Sequence, residues 1–204
     1  MKYFTGFLVM LAFLWTGCSP KLNDGVTPNQ AAYTSSNYPN PMVFYNGTLA
    51  AGVSVASPYL PSPYDAVLTI GFGDTSVRPI AGNANMVFGV TNYSASNSEY
   101  NGANWAAFGL VPSGSSTIDL TSGNYSEATF YALGSFAAGV TQAPVNINVG
   151  GSATTPITLT TNWQSFSIPL PANLTAVSQY LVVGMSLPSD LSPFKVYIDQ
   201  FQYH

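Results

Sequence analysis

Few side chains in this 204-residue chain are suited to acid–base or nucleophilic chemistry. His204, the only histidine, is the last residue, which argues against a buried Ser-His-Asp triad or a histidine-rich metal centre. A pair of carboxylates is the remaining catalytic option, and a glycosidase places such a pair about 5 to 9.5 Å apart across a cleft. Asp119 fits better as a turn residue and Glu127 as a surface residue at a strand start, so we expect a protein that is not an enzyme. The carboxylates considered are Asp65, Asp74, Glu99, Asp119, Glu127, Asp190 and Asp199.

The only cysteine, Cys18, follows a segment with the layout of a secretory signal. Residues 1–17 carry one positive charge, then an apolar run, then small residues, and they are too short to span a bilayer as a permanent helix. The junction Thr16-Gly17-Cys18 resembles a bacterial lipobox, which implies cleavage before Cys18 and lipid on its sulfur. Ser19 resembles the sorting pattern for the outer membrane. We therefore expect a lipid-anchored envelope protein, at the outer membrane or cell surface; the alternative is an ordinary secretory signal that contains a cysteine.

The composition limits the classes of partner. Charged residues make up 6% of the chain, against about 25% in a typical soluble domain. After residue 18 the basic residues are Lys21, Arg78 and Lys195, too few for the basic patch that nucleic-acid binding needs. Hydrophobic residues make up 47% and aromatic residues 14%, which argues against disorder. We expect a folded domain with no nucleic-acid partner.

The mature chain divides into a tether and one domain. Residues 18–40 have no apolar period and are rich in Pro, Ser and Asn, as in a flexible linker. Residues 41–204 contain short apolar or alternating runs separated by turn residues, and no capped helical period of ten residues. This pattern predicts an all-β sandwich. The predicted strands are 42–46, 52–57, 66–72, 84–91, 105–111, 128–134, 144–149, 155–160, 163–170, 180–187 and 194–203.

The second half of the domain has a recognisable order of segments. "SSTIDLTSGNYSEATFYALGS" precedes "APVNINVGG", then "LTTNWQSFSIPL", then "PFKVYIDQFQY", while "MVFYNGTL" and "YNGANWAAFGL" lie upstream. This order resembles the β-jelly-roll of galactose-binding-like carbohydrate-binding modules. The resemblance covers roughly residues 41–204 and implies a jelly-roll sandwich that binds carbohydrate.

A sugar ring presents an apolar C–H face and a rim of hydroxyls, so its site combines aromatic rings with amides or carboxylates. In strand 144–149 the alternation turns Asn146 and Asn148 outward, and in strand 128–134 it puts Tyr131 on the face opposite Phe130. We expect these two strands together to offer a polar, tyrosine-bearing sheet face, which the resemblance makes the concave one. Two loops add further candidates: Tyr93, Glu99, Tyr100, Asn101 and Trp105 in one, and Tyr59, Tyr64 and Asp65 in the other.

Three residues have competing interpretations. Trp105 is a sugar-platform candidate, although core or edge packing is the commoner role in this pattern. Trp163 has the opposite parity to Phe166 and Ile168, and we favour packing under a loop over sugar binding for it. The resemblance implies that Asp199 holds a structural calcium with the first strand, which offers Asn46 but no acid. The alternative is an Asp199 carboxylate satisfied by backbone N–H groups.

These observations predict a membrane-anchored, non-catalytic glycan-binding lipoprotein that captures poly- or oligosaccharide at the cell surface. No cofactor is required, apart from the calcium that the resemblance implies. The alternative is a surface structural or adhesion subunit that binds protein or itself, for which sparse charge and many Ser, Thr and Tyr residues are suited. Glycosidase or lyase activity is the least favoured interpretation.

Overall fold

The computed structural model describes residues 38–56, 68–90, 105–114, 117–186 and 194–204. These residues form eleven β-strands and one short 3₁₀ helix, Thr121–Gly123. The strands build two antiparallel sheets with a shared apolar core between them. The predicted all-β, jelly-roll type of sandwich is therefore confirmed.

The first sheet has six strands. The strand order is β3-β4-β11-β6-β9, and β1 pairs with the second half of β11. All pairings in this sheet are antiparallel. Its strands are β1 (Met42–Tyr45), β3 (Leu68–Asp74), β4 (Asn85–Val90), β6 (Glu127–Ser135), β9 (Gln164–Pro169) and β11 (Phe194–Tyr203).

The second sheet has five strands in the order β2-β5-β10-β7-β8. None of these strands contains Asp, Glu, Lys or Arg, whereas the first sheet carries Asp74, Glu127, Lys195 and Asp199. The two sheets therefore present outer surfaces of different chemistry. The strands of the second sheet are β2 (Val53–Val55), β5 (Trp105–Pro112), β7 (Gln142–Val149), β8 (Thr155–Thr160) and β10 (Leu181–Ser186).

Each of the eleven predicted strands occurs in the structure, with boundaries displaced by at most two residues. Alternation assigned the inner faces correctly: Phe130 on β6 and Val145 and Ile147 on β7 are all 1% exposed. The shared face expected for β6 and β7 is wrong. β6 pairs with β11 and β9, whereas β7 pairs with β10 and β8, so the core separates the outer faces of the two strands.

A β-bulge divides the long strand β11. Phe194, Val196 and Ile198 point into the core, and after the bulge the inward positions are Phe201 and Tyr203. The register with β6 shifts between Asp199 and Gln202, and Gln200 adopts a left-handed φ of 53°. An extra residue at this point reverses the side-chain parity of the strand. The bulge lets both ends of β11 bury apolar side chains.

The connection between β3 and β4, residues 75–84, folds back over the outer face of the first sheet. Val77 packs there in a small apolar cluster with Val87, Leu133 and Tyr197, which are 2 to 4% exposed. Asn85 is fully buried and donates its Nδ2 to the Val77 carbonyl at 2.6 Å. This connection therefore covers part of a sheet face that would otherwise be open.

Several predictions concern residues outside the described ranges. These include the signal segment 1–17, the lipidation site Cys18 and most of the tether, as well as Tyr93 and Tyr100. Within the part of the chain that the structure describes, no helix is long and apolar enough to cross a membrane.

Candidate ligand-binding surfaces

The outer face of the second sheet carries amides and small residues. We call this surface the amide face; in register, Pro156 on β8, Asn146 on β7 and Gly184 on β10 form one of its rows. A neighbouring row pairs Asn148 with Val182. Because the strands contain no charged residue, the face offers only uncharged donors and acceptors beside apolar carbons. Its members are Gln142, Pro144, Asn146, Asn148, Pro156, Thr158, Val182 and Gly184.

The two predicted asparagines of this face differ in their surroundings. Asn146 is exposed, so both ends of its amide are open to a ligand. Asn148 is half-buried and donates its Nδ2 to the carbonyl of Ser152, in the turn that joins β7 to β8. The structure therefore places Asn146 in an accessible position and uses Asn148 to fix a turn.

The amide face has a depression next to Asn146. Gly184 has no side chain, and a Cβ atom built on it would meet Asn146 atoms only at 3.8 Å, an ordinary van der Waals distance. Across the sheet, Gly184 has Asn146 on one side, with Pro156 beyond it, and Ala107 of β5 on the other, while Val182 lies two positions earlier on β10. A shallow floor with an amide wall is suited to a flat ring that carries hydroxyls.

Tyr131 lies on the other outer face, on β6 of the first sheet. Its cross-strand neighbours are Asp199 on β11 and Ser165 on β9, and its side chain is half-buried. Tyr131 is thus separated from Asn146 by the full thickness of the sandwich. Trp105 begins β5 and pairs with Ser186 at the backbone; its side chain is outside the described part of the molecule.

Trp163 packs on the outer face of the first sheet, under the connection of residues 75–84. Its ring lies against the apolar cluster that contains Leu133 and Val77. The indole Nε1–H donates to the Arg78 carbonyl at 2.9 Å, so the ring is fixed at both its apolar and its polar side. The packing role that the sequence favoured for Trp163 is confirmed.

An open cleft adjoins Trp163. It encloses about 460 Å³ and lies between the segment from Val77 to Ile80 and the segment from Thr161 to Trp163, with Leu133 at its floor. This cleft could not be predicted from the sequence, because it depends on how residues 75–84 fold back. Its only sequence signal is Arg78, one of very few basic residues in the chain.

Asp199 is fully buried, and backbone N–H groups hold its carboxylate. Oδ2 accepts hydrogen bonds from Ile80 and Ala81 at 2.9 Å each, and Oδ1 accepts one from Gln200 at 2.8 Å. These bonds match the alternative to calcium, in which backbone N–H groups satisfy the carboxylate. A carboxylate with several N–H donors does not require a cation. Among the described residues no group of three His, Cys, Asp or Glu side chains is placed to hold a metal. Calcium at Asp199 stays a prediction.

The other described carboxylates make local hydrogen bonds. Asp74 accepts from the N–H and hydroxyl of Ser76, and Glu127 accepts from the Ser167 hydroxyl. Asp119 accepts from the hydroxyl and N–H of Thr121, and these two donors hold the pKa of its carboxyl below the ordinary value. The turn role predicted for Asp119 agrees with this geometry.

The chain matches no searched protein-family pattern and no curated protein sequence at a significant level. It is similar in fold to solved carbohydrate-binding modules. One is a carbohydrate-binding module of family 29, with 8% identity, a TM-score of 0.44 and coverage of 79% of this chain and 85% of that one. A CBM29-2 mutant complexed with mannohexaose has 8% identity, a TM-score of 0.43 and coverage of 79% and 88%. BiXyn10A CBM1 in its apo form has 14% identity, a TM-score of 0.43 and coverage of 79% and 94%.

Proposed function

We propose that this protein is a non-catalytic glycan-binding lipoprotein that captures neutral poly- or oligosaccharide on its amide face. The observation that carries the proposal is the exposed Asn146 beside the open floor at Gly184, on a sheet whose strands contain no charge. An amide offers a donor and an acceptor together, which matches the hydroxyl rim of a sugar.

The apolar part of a sugar ring also finds partners on this face. Pro144 and Pro156 are exposed and Val182 is half-buried, so carbon surface lies on both sides of Asn146. Such stiff side chains lose little conformational entropy when a ligand covers them. Tyr93, Tyr100 and Trp105 stay the aromatic partners that the sequence predicts, and their side chains lie outside the described part of the molecule.

Membrane attachment through Cys18 is part of the same proposal. The lipobox-like junction and the secretory layout of residues 1–17 support it, because a single cysteine directly after a signal is the attachment point of a lipoprotein. Acyl chains that each bury many CH₂ groups, at about 0.8 kcal/mol per group, anchor a protein stably when more than one is present. The protein would then hold saccharide next to the cell envelope.

The hydrogen bonds made by the described carboxylates support a non-catalytic role. Asp199 is buried and fully hydrogen-bonded, and Asp74, Asp119 and Glu127 each accept bonds from a neighbouring hydroxyl. A general acid needs a carboxyl that reaches the substrate with its proton available. None of these four described side chains lies on the amide face.

A second candidate function, a self-associating structural or adhesion subunit, is favoured by one specific observation. Strand β8 is an edge strand of the second sheet, and its six residues carry no charge. Natural sheets usually protect such edges with lysine or other charges. Pro156 is the one residue of β8 that lacks a backbone N–H, and an edge without charge is suited to pairing with a second copy of the chain.

The deciding experiment is a glycan array probed with residues 19–204, which lack the signal and Cys18 but contain every described strand. Saturable binding to a neutral glycan class, weakened in Asn146→Ala, supports the proposal. Gln179→Ala is the matched control, because Gln179 is an exposed amide outside the sheets. A blank array together with concentration-dependent dimers in sedimentation would instead support the self-associating subunit.

A further inference from the structure

The structure points to a second saccharide site, which goes beyond the proposed function. We propose that the cleft beside Trp163 binds an acidic sugar, with the pyranose ring against the indole and its carboxylate on the Arg78 guanidinium. The cleft lies on the outer face of the first sheet, opposite the amide face. The two sites therefore differ in position and in the charge of the ligand that they select.

The first support is that the indole is already held in place before a ligand arrives. Its Nε1–H is used by the Arg78 carbonyl and part of its ring packs on Leu133, yet Trp163 remains half-exposed and lines the cleft. A ring that is fixed but accessible loses little entropy on stacking with the C–H face of a sugar.

The second support is the charge of Arg78. Its side chain is exposed, and the partners of the described carboxylates Asp74, Asp119, Glu127 and Asp199 do not include it. Asp199 lies under the same connection, and its carboxylate accepts hydrogen bonds from the N–H groups of Ile80, Ala81 and Gln200. A guanidinium is suited to a bidentate bond with a carboxylate. A guanidinium with no partner among the described carboxylates therefore favours an anionic ligand.

The third support is the rim and size of the cleft. Thr161 and Asn162 are exposed and present a hydroxyl and an amide to the hydroxyls of a sugar, while Ile80 is 44% exposed and adds apolar surface. The volume of about 460 Å³ lies within the range of small-ligand sites, which is about 300 to 1,000 Å³. One or two sugar rings fit this space.

The test follows the indole N–H resonance of Trp163 by two-dimensional NMR in residues 19–204, with Trp163→Phe used to assign the peak. The probe is the trisaccharide of galacturonic acid, and the trisaccharide of galactose is its uncharged counterpart. We expect the acidic probe to shift the Trp163 resonance saturably. Arg78→Gln keeps the backbone carbonyl that holds the indole, so it should weaken binding about tenfold, the loss of one charge-assisted contact, without unfolding the protein.

Three outcomes would overturn the inference: no saturable shift with the acidic probe, equal affinity for the galactose trisaccharide, or unchanged affinity in Arg78→Gln. Asn146→Ala separates the two sites, because it should leave the shift at Trp163 intact even if the amide face binds nothing. Conversely, unchanged affinity for the acidic probe in Arg78→Gln would contradict the site at Trp163 and would not bear on the amide face.

Discussion

Asn146 on β7 stands directly opposite Gly184 on β10, so an exposed amide borders a position without a side chain. Neighbouring strands of a sheet are about 4.8 Å apart, and the residue on the other side of Gly184 is Ala107 of β5, which carries only a methyl group. The amide and the open floor lie on rigid, hydrogen-bonded strands and not on a loop. A ligand that fits this gap meets a preformed surface.

Filling the gap should block binding at the amide face. Gly184→Leu places a branched side chain on the floor, whereas Gly184→Ala adds one methyl that meets its nearest neighbours at 3.8 Å. We expect Leu to abolish glycan binding and Ala to retain it, with unfolding free energies within about 1 kcal/mol of each other. Isothermal titration with the glycan found on the array, beside urea unfolding, checks both parts. Retained binding in Gly184→Leu would place the ligand elsewhere.

The position of Tyr131 allows a test of which sheet binds the neutral glycan. Tyr131 lies on the outer face of the first sheet beside Asp199, on the far side of the core from Asn146. Tyr131→Ala should therefore leave neutral-glycan affinity unchanged within about twofold, while Asn146→Ala weakens it about fivefold or more, the value of one net hydrogen bond. If the two variants lose affinity equally, the sheet assignment of the site is incorrect.

Asp199 should contribute to stability through its N–H donors. In Asp199→Asn one oxygen becomes an NH₂ group that faces Ile80 and Ala81 or Gln200, so a buried donor meets a donor. We expect a loss of about 2 to 4 kcal/mol in unfolding free energy. EDTA should leave the thermal midpoint of the wild type unchanged. A calcium-dependent rise in that midpoint, absent in Asp199→Asn, would instead establish the metal site that the resemblance implies.

We expect the free energy of unfolding to fall at alkaline pH because of Tyr45. Tyr45 is fully buried, and burial raises the pKa of its hydroxyl to about 12. The folded pKa lies above the unfolded value of 10.0, so this stability is complete below pH 10 and is lost as the pH rises towards 12. The loss from this residue approaches roughly 2 to 3 kcal/mol at pH 12. Urea unfolding at pH 8 and 11.5 should show a smaller decrease for Tyr45→Phe than for the wild type; equal decreases would contradict the assignment.

Cys18 gives the test of membrane attachment. In a bacterial host, the full-length chain should appear in the membrane fraction and incorporate a labelled fatty acid, because the thiol carries the anchor. Cys18→Ser should lose both the label and the membrane association. Cys18→Ser still carrying the fatty-acid label would reject Cys18 as the attachment point. Release of unlabelled wild type into the medium would favour the ordinary secretory signal.

The strands and their inner faces could be predicted because they depend on local alternation. Val145 and Ile147 on β7, or Phe130 on β6, follow the period of two that any half-buried strand shows. The sheet to which each strand belongs is a non-local property. β6 and β7 follow each other along the chain, and consecutive strands often pair, but here a crossover places them in different sheets.

The bulge in β11 can be recognised in the sequence, although a strict period of two would assign the wrong face to the residues after it. Apolar residues occupy positions 194, 196 and 198 and then 201, and this change of parity marks one extra residue at Asp199–Gln200. The cleft beside Trp163 has no comparable pattern in the sequence, where only the rare basic residue Arg78 marks it. It exists because residues 75–84 fold over Leu133 and meet Trp163, a contact between residues 85 positions apart.

Because the strands of the second sheet carry no charge, ligand affinity at the two surfaces should depend differently on salt concentration. Dissolved ions screen interactions between exposed charges and have little effect on hydrogen bonds between neutral groups. Neutral saccharide on the amide face would therefore be held equally well in fresh and in saline water. An acidic saccharide at Arg78 would be released as the salt concentration rises.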